Sequence, residues 1–118
     1  MIFTYHITVR PVVTVPELSI FIKPGEDVSL ECIFEFHPHG LMWWERESGE
    51  ILSRNDKYSV ADYILNEFTI RSRLIIRDFD ASDVGKYTCV GRNGFNKEGD
   101  REEGHILVSF VKGLFKIS

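Results

Sequence analysis

Apolar and polar residues alternate along several short segments of the chain. From Val28 to Phe34, apolar side chains occupy every second position. A period of two is the pattern of a β-strand with one face turned toward a core. Similar alternation recurs within 68–77, 84–92 and 104–111, with arginines between the apolar positions of the first of these segments. The pattern therefore predicts several half-buried strands.

Proline and glycine separate the apolar segments at short intervals, a rhythm typical of an all-β sandwich or barrel. No segment of ten or more residues shows a convincing helical apolar period. The polar, glycine-bounded stretch Gly94–Gly104 predicts a long, solvated hairpin loop. The predicted strands are 12–15, 18–22, 27–35, 41–47, 51–53, 57–62, 68–77, 84–92 and 104–111.

Composition fits one folded domain, since 43% of the 118 residues are hydrophobic and 27% are charged. A net charge of -4 gives no general attraction to nucleic acid or anionic membranes. No apolar run is long enough to span a bilayer, and His6 and Arg10 interrupt the apolar start. We therefore expect an export signal and any membrane anchor to lie outside these residues.

The cysteines, Cys32 and Cys89, can form a disulfide or stay free in a core. A metal site is not expected, because there is no CxxC pair. The His37-Pro38-His39 stretch lacks further ligands and is interpreted as a solvated turn. The acidic cluster of Asp78, Asp80 and Asp83 lacks calcium-loop spacing, so we interpret it as an ordinary loop between strands. No metal or cofactor is predicted.

One set of residues with fixed spacing indicates a specific fold. It consists of Cys32, the pair Trp43-Trp44, Asp83, Gly85, Tyr87 and Cys89. The immunoglobulin fold combines a strand-B cysteine, a strand-C tryptophan and a tyrosine two residues before the strand-F cysteine. The ordered string from Leu74 to Cys89 makes a chance match improbable. The chain thus resembles an immunoglobulin domain of the intermediate (I) set, since the cysteine spacing is too short for a typical variable domain.

The resemblance implies a β-sandwich of two antiparallel sheets with Greek-key topology. A Cys32–Cys89 disulfide would join the sheets, with Trp44 buried beside it and Leu74 in the core. Tyr87 would turn its hydroxyl onto the backbone of the preceding loop. In that loop, Gly85 would permit a tight turn, and Asp83 would accept hydrogen bonds and pair with Lys57. Asp83, Gly85 and Tyr87 are thus expected to shape the loop that precedes the second cysteine.

More narrowly, the chain resembles the third immunoglobulin domain of lachesin and IgLON-like neuronal adhesion molecules. The residues that carry this resemblance are Val12 to Pro16, Leu30 to Cys32, Pro38, Trp44 to Glu50, Asp56 to Tyr58, Leu74 to Cys89, and Arg92-Asn93. It implies an N-terminal extension or linker at 1–10, an I-set domain at 11–111 and a C-terminal tail at 112–118.

On this alignment Trp43 faces outward. It is a candidate partner-binding residue, because tryptophan is enriched in binding hot spots. Alternatively, it packs beneath arginines of a neighbouring strand through cation–π contacts. We favour packing within the domain.

The resemblance implies an extracellular module of a cell-surface adhesion or recognition receptor. Such a module would bind other cell-surface immunoglobulin-domain proteins, or act as a membrane-proximal spacer with weak self-association through an exposed sheet face. Two alternatives stay open: an intracellular domain of a muscle filament, which needs no disulfide, and an ectodomain module of a receptor kinase. No catalytic residue is predicted, because no nucleophile has a base at motif spacing and no phosphate-binding glycine loop is present.

Overall fold

The computed structural model describes residues 9–37, 40–93 and 100–111 as a β-sandwich with one short 3₁₀ turn at Ala81–Asp83. The strands are β1 (Val9–Thr14), β2 (Ser19–Ile22), β3 (Val28–His37), β4 (Leu41–Arg46), β5 (Ile51–Leu52), β6 (Tyr58–Ile64), β7 (Thr69–Ile76), β8 (Gly85–Arg92) and β9 (Arg101–Phe110). Within these ranges there is no helix long and apolar enough to cross a membrane.

The strands form two sheets with the orders β1-β3-β7-β6 and β2-β9-β8-β4-β5. The chain passes from the four-stranded to the five-stranded sheet between β1 and β2, where Pro16 has no N–H with which to continue the first ladder. β2 pairs with β9 in parallel, whereas every other described strand pair is antiparallel. The predicted immunoglobulin-like sandwich is confirmed, with this one parallel pair as an added detail.

The core lies between the sheets and follows the alternation read from the sequence. In β3 and β7, every second residue is buried, and residues such as Leu30 and Leu74 meet directly across the pair. The intervening residues, Arg71 and Arg73 among them, face away from the core. The largest fully buried side chains are Trp44, Tyr87, Phe34, Phe36, Phe79, Leu30, Leu74, Ile76, Ile106, Val90 and Val108.

The prediction of a loop over Gly94–Gly104 is wrong from Arg101 onward, and the last strand begins three residues before its predicted start at Gly104. Arg101 to Gly104 already belong to β9, with Arg101 opposite Arg92 and Gly104 opposite Cys89 on β8. The first three residues of β9 are all charged, so this part of the strand shows no apolar alternation. Residues 94–99 of the loop, Pro38-His39 and the tail 112–118 lie outside the described residues.

Candidate functional site

A disulfide joins the two sheets at the centre of the sandwich. Cys32 on β3 and Cys89 on β8 are bonded, with their Cα atoms 6.6 Å apart. Both residues are 0% exposed. The predicted disulfide is therefore confirmed, and the alternative of two free core cysteines is wrong for this structure.

Trp44 fills the space beside the disulfide and bonds across the core. It lies opposite Cys89 in the β4–β8 register and is 0% exposed. Its Nε1–H donates a hydrogen bond of 2.9 Å to Oγ of Ser72, which lies on β7 in the other sheet. A buried indole N–H needs such an acceptor. Ser72 was missed from the sequence, although it occupies a core-facing position between Ile70 and Leu74.

Tyr87 closes the corner between the 3₁₀ turn and β8. Its hydroxyl donates a hydrogen bond of 2.7 Å to the backbone carbonyl of Asp83. Burial is the main reason that the pKa of Tyr87 is raised, because it disfavours the phenolate. The Arg46 guanidinium lies 5.2 Å from the centre of the Tyr87 ring. Gly85, at a φ of 146°, adopts a backbone conformation that side-chain-bearing residues rarely adopt.

The buried carboxylate of Asp83 is the centre of a polar cluster. It lies 2.6 Å from Nζ of Lys57, the partner named from the sequence, and 4.0 Å from Nη1 of Arg46. It also accepts a hydrogen bond of 2.9 Å from the backbone N–H of Asp80. Burial lowers the pKa of Lys57, but the hydrogen bond and charge of Asp83, aided by Asp80 and Asp78, raise it above its usual value.

The other two aspartates of the acidic cluster have separate structural partners. Asp80 caps the 3₁₀ turn by accepting from the backbone N–H of Ser82 at 2.8 Å. The hydroxyl and backbone N–H of Ser82 hold the pKa of Asp80 below its usual range. Asp78 has a φ of 48°, and its backbone N–H donates to the carboxylate of Asp27 at 2.9 Å. The cluster is thus part of the turn that precedes β8.

Trp43 lies on the outer face of the five-stranded sheet and is partly covered. Its Nε1–H donates a hydrogen bond of 2.7 Å to Oε1 of Glu45. The Arg101 guanidinium lies 5.5 Å from the ring centre. Val90, opposite Trp43 on the intervening strand β8, is 0% exposed although it points away from the disulfide core. This places Trp43 in a layer of side chains that covers Val90.

The same layer continues along β9. Glu103 binds the Arg101 guanidinium at 2.7 Å and lies 3.6 Å from Nε2 of His105. Nδ1 of His105 is 3.0 Å from the hydroxyl of Thr88. We call these residues, together with Trp43, Glu45 and Val90, the Trp43 face. Arg101 and Glu103 fall in the predicted loop and His105 in the predicted strand 104–111, and the sequence pattern singles out none of the three as a neighbour of Trp43.

Comparisons with known proteins support an immunoglobulin assignment. The chain is 35% identical to mouse adhesion G protein-coupled receptor F5 over 69 residues, which are 58% of this chain and 5% of that receptor. It is 31% identical to the Drosophila melanogaster cell adhesion molecule Dscam1 over 72 residues, which are 61% of this chain and 4% of that protein. The chain therefore spans about one twentieth of the length of these relatives.

Solved structures share the fold at lower identity. A complex of Dpr2 Ig1–Ig2 with DIP-Theta Ig1–Ig3 gives a TM-score of 0.80 at 20% identity, covering 88% of this chain and 33% of that one. Titin domains A168–A170 give a TM-score of 0.70 at 17% identity, and the match covers 86% of this chain and 32% of the titin chain. The model of the immunoglobulin domain family matches residues 10–93. Since that range is well over half of the chain, the protein belongs to the immunoglobulin domain family.

Proposed function

We propose that this chain is an extracellular module of a cell-surface adhesion or recognition receptor. The observation that carries the proposal is the buried disulfide, because such bonds form and persist in oxidising compartments. The similarity to an adhesion receptor and to Dscam1 supports the same placement. The module would bind other cell-surface proteins with immunoglobulin domains, or hold a binding domain away from the membrane.

The module boundaries and the spacer role that we propose come from the sequence resemblance. We propose the module boundaries 11–111, although β1 begins two residues earlier, at Val9. The resemblance to the third domain of lachesin and IgLON-like molecules supports a membrane-proximal spacer with weak self-association. The proposal includes no catalytic activity, cofactor or nucleic acid partner. A receptor-kinase ectodomain differs from it only in the sequence that adjoins this domain.

The muscle-filament alternative has a specific observation in its favour, namely the structural match to titin domains. A filament domain in the reducing cytosol keeps its thiols free. Peptide mass spectrometry under non-reducing conditions separates the two, using protein from its native source that is alkylated before digestion. We expect a linked Cys32–Cys89 peptide pair without alkylated thiols. Alkylation of both cysteines in native material would instead favour the filament.

A second prediction concerns Trp43, which we propose serves mainly to pack within the domain. Trp43→Ser should lower the free energy of unfolding by about 1–2 kcal/mol, because it uncovers Val90 and removes the Arg101 contact. The measurements are thermal unfolding and self-association by sedimentation equilibrium. Leu41→Ser is the matched control, since Leu41 lies on the same face and is 61% exposed. Lost self-association with unchanged stability would contradict the packing role and make Trp43 a partner contact.

A further inference from the structure

Three arginines project from the outer face of the four-stranded sheet, with Ile75 at the outward position between the second and the third. Arg71 and Arg73 occupy outward positions of β7, and Arg77 follows directly after the strand. At about 3.4 Å per residue, the backbone from Arg71 to Arg77 extends roughly 20 Å. The three side chains originate along one nearly straight line, which we call the arginine row.

Two members of the arginine row have no carboxylate partner among the described residues. Arg77 donates to the hydroxyl of Ser59 and, at 3.5 Å, to the backbone carbonyl of Asn55, both neutral groups. Nε of Arg71 is buried without a hydrogen-bond partner. Their positive charges are therefore not neutralised by a direct ion pair.

The middle of the row is already held in place. Arg73 binds the carboxylate of Glu31 at 2.8 Å, and its guanidinium lies 5.8 Å from the centre of the Tyr63 ring. Glu35, opposite Thr69 in the β3–β7 register, is the other carboxylate that β3 places on this face. Arg73 therefore contributes a fixed, neutralised centre between two unneutralised cations.

A polar hollow lies at the Arg77 end of the row. Its volume is about 390 Å³, and it is lined by Arg54, Asn55, Asp56, Ser59 and Arg77. Arg54 is exposed and makes no described polar contact. Every lining residue is polar or charged, and the two arginines outnumber the single carboxylate, Asp56, so the hollow has a net positive lining with hydrogen-bonding groups. This chemistry suits a hydroxyl-rich anionic ligand better than an apolar peptide side chain.

We propose that the arginine row and its hollow bind a linear sulfated polysaccharide, such as a cell-surface glycosaminoglycan. Its sulfates would contact Arg71, Arg77 and Arg54, and its hydroxyl groups would meet Asn55 and Ser59. The planar guanidinium of arginine can donate two parallel N–H hydrogen bonds to two oxygens of one anionic group. Because the chain carries a net charge of -4, attraction to a polyanion must come from a local surface of this kind. The outer face of the sheet fits an extended chain that lies along β7.

The test measures binding of the disulfide-bonded 118-residue chain to immobilised heparin at several salt concentrations. Arg71→Ser/Arg77→Ser should weaken binding at least tenfold. It should also reduce by about two the slope of log binding constant against log salt concentration, because two ionic contacts are lost. Arg54→Ser alone should weaken it several-fold, and this exposed site carries little risk to folding. Desulfated heparin should not bind.

Lys23→Ser/Lys86→Ser is the matched control, since it removes two exposed cations from other surfaces and should leave affinity within about twofold. Equal losses in this control would overturn the proposal, as would undetectable binding by the wild-type chain. Tighter binding to duplex DNA or to anionic vesicles at the same salt concentration would also overturn it. Thermal unfolding of each variant identifies losses caused by misfolding. Failure of this test leaves the proposed receptor role intact, because that role depends on the disulfide.

Discussion

Trp44→Ala is expected to lower the free energy of unfolding by about 3–5 kcal/mol. The indole is 0% exposed beside the disulfide, so its removal leaves a large cavity between the sheets. The substitution also leaves the buried hydroxyl of Ser72 without the indole N–H. Urea denaturation followed by circular dichroism measures the change.

Two further variants separate packing from hydrogen bonding. Trp44→Phe keeps most of the ring volume and should cost less than Trp44→Ala. Ser72→Ala removes the acceptor and should cost about 1–3 kcal/mol, because the indole N–H is left buried and unsatisfied. Combined, Trp44→Phe and Ser72→Ala should cost less than the sum of the single changes. A loss below about 1 kcal/mol for Trp44→Ala would contradict the assigned core position.

Cys32→Ala/Cys89→Ala is expected to cost about 2–5 kcal/mol. The disulfide connects residues separated by 57 positions, and the chain-entropy model assigns about 4 kcal/mol to a loop of that length. Urea denaturation of the double variant should show a lower midpoint than the wild type. The wild-type chain, fully reduced and alkylated, provides an independent comparison and should be destabilised in the same direction.

The opposite result is equally clear. If the double variant unfolds at the same midpoint as the wild type, the disulfide does not stabilise the domain. The sandwich would then depend on packing alone, as expected of a domain adapted to a reducing compartment. That outcome would also weaken the proposed extracellular role.

Alternation and resemblance together predict the framework, because each depends on a pattern of residue types and spacings that the sequence shows directly. Apolar residues at every second position of β3 and β7 must face a core, so their orientation follows from the pleat alone. The disulfide and Trp44 follow from residue spacing that the immunoglobulin fold requires. By contrast, β9 begins with Arg101 and two glutamates, whose charges reveal nothing about their backbone pairing with β8.

Gly104 shows why some constraints cannot be predicted from the sequence. The predicted strand 104–111 begins at Gly104, but the pattern does not show that this position lies against the disulfide. A Cβ atom there would lie 2.5 Å from Val15, 2.8 Å from Val13 and 3.0 Å from Sγ of Cys89. The need for glycine thus arises from the route of the chain between β1 and β2, which alternation does not specify.

Trp43 and its partner illustrate a similar limit. The outward direction of Trp43 follows from the inward direction of its neighbour Trp44. Its contact with Arg101 depends on the register of two successive strand pairs, β4–β8 and β8–β9. Register is a tertiary property, and an error in one strand boundary makes the contact between Trp43 and Arg101 impossible to predict.

The parallel pairing of β2 with β9 determines how the domain would respond to tension. The described chain begins at Val9, opposite His37, and β9 ends at Phe110, opposite Ile22, so these two points lie at opposite ends of the sandwich. Pulling them apart would slide β2 along β9, and the hydrogen bonds between the two strands would share the force and rupture together. Tension between these two points would therefore load the β2–β9 ladder together with the β1–β3 pair that precedes it along the chain.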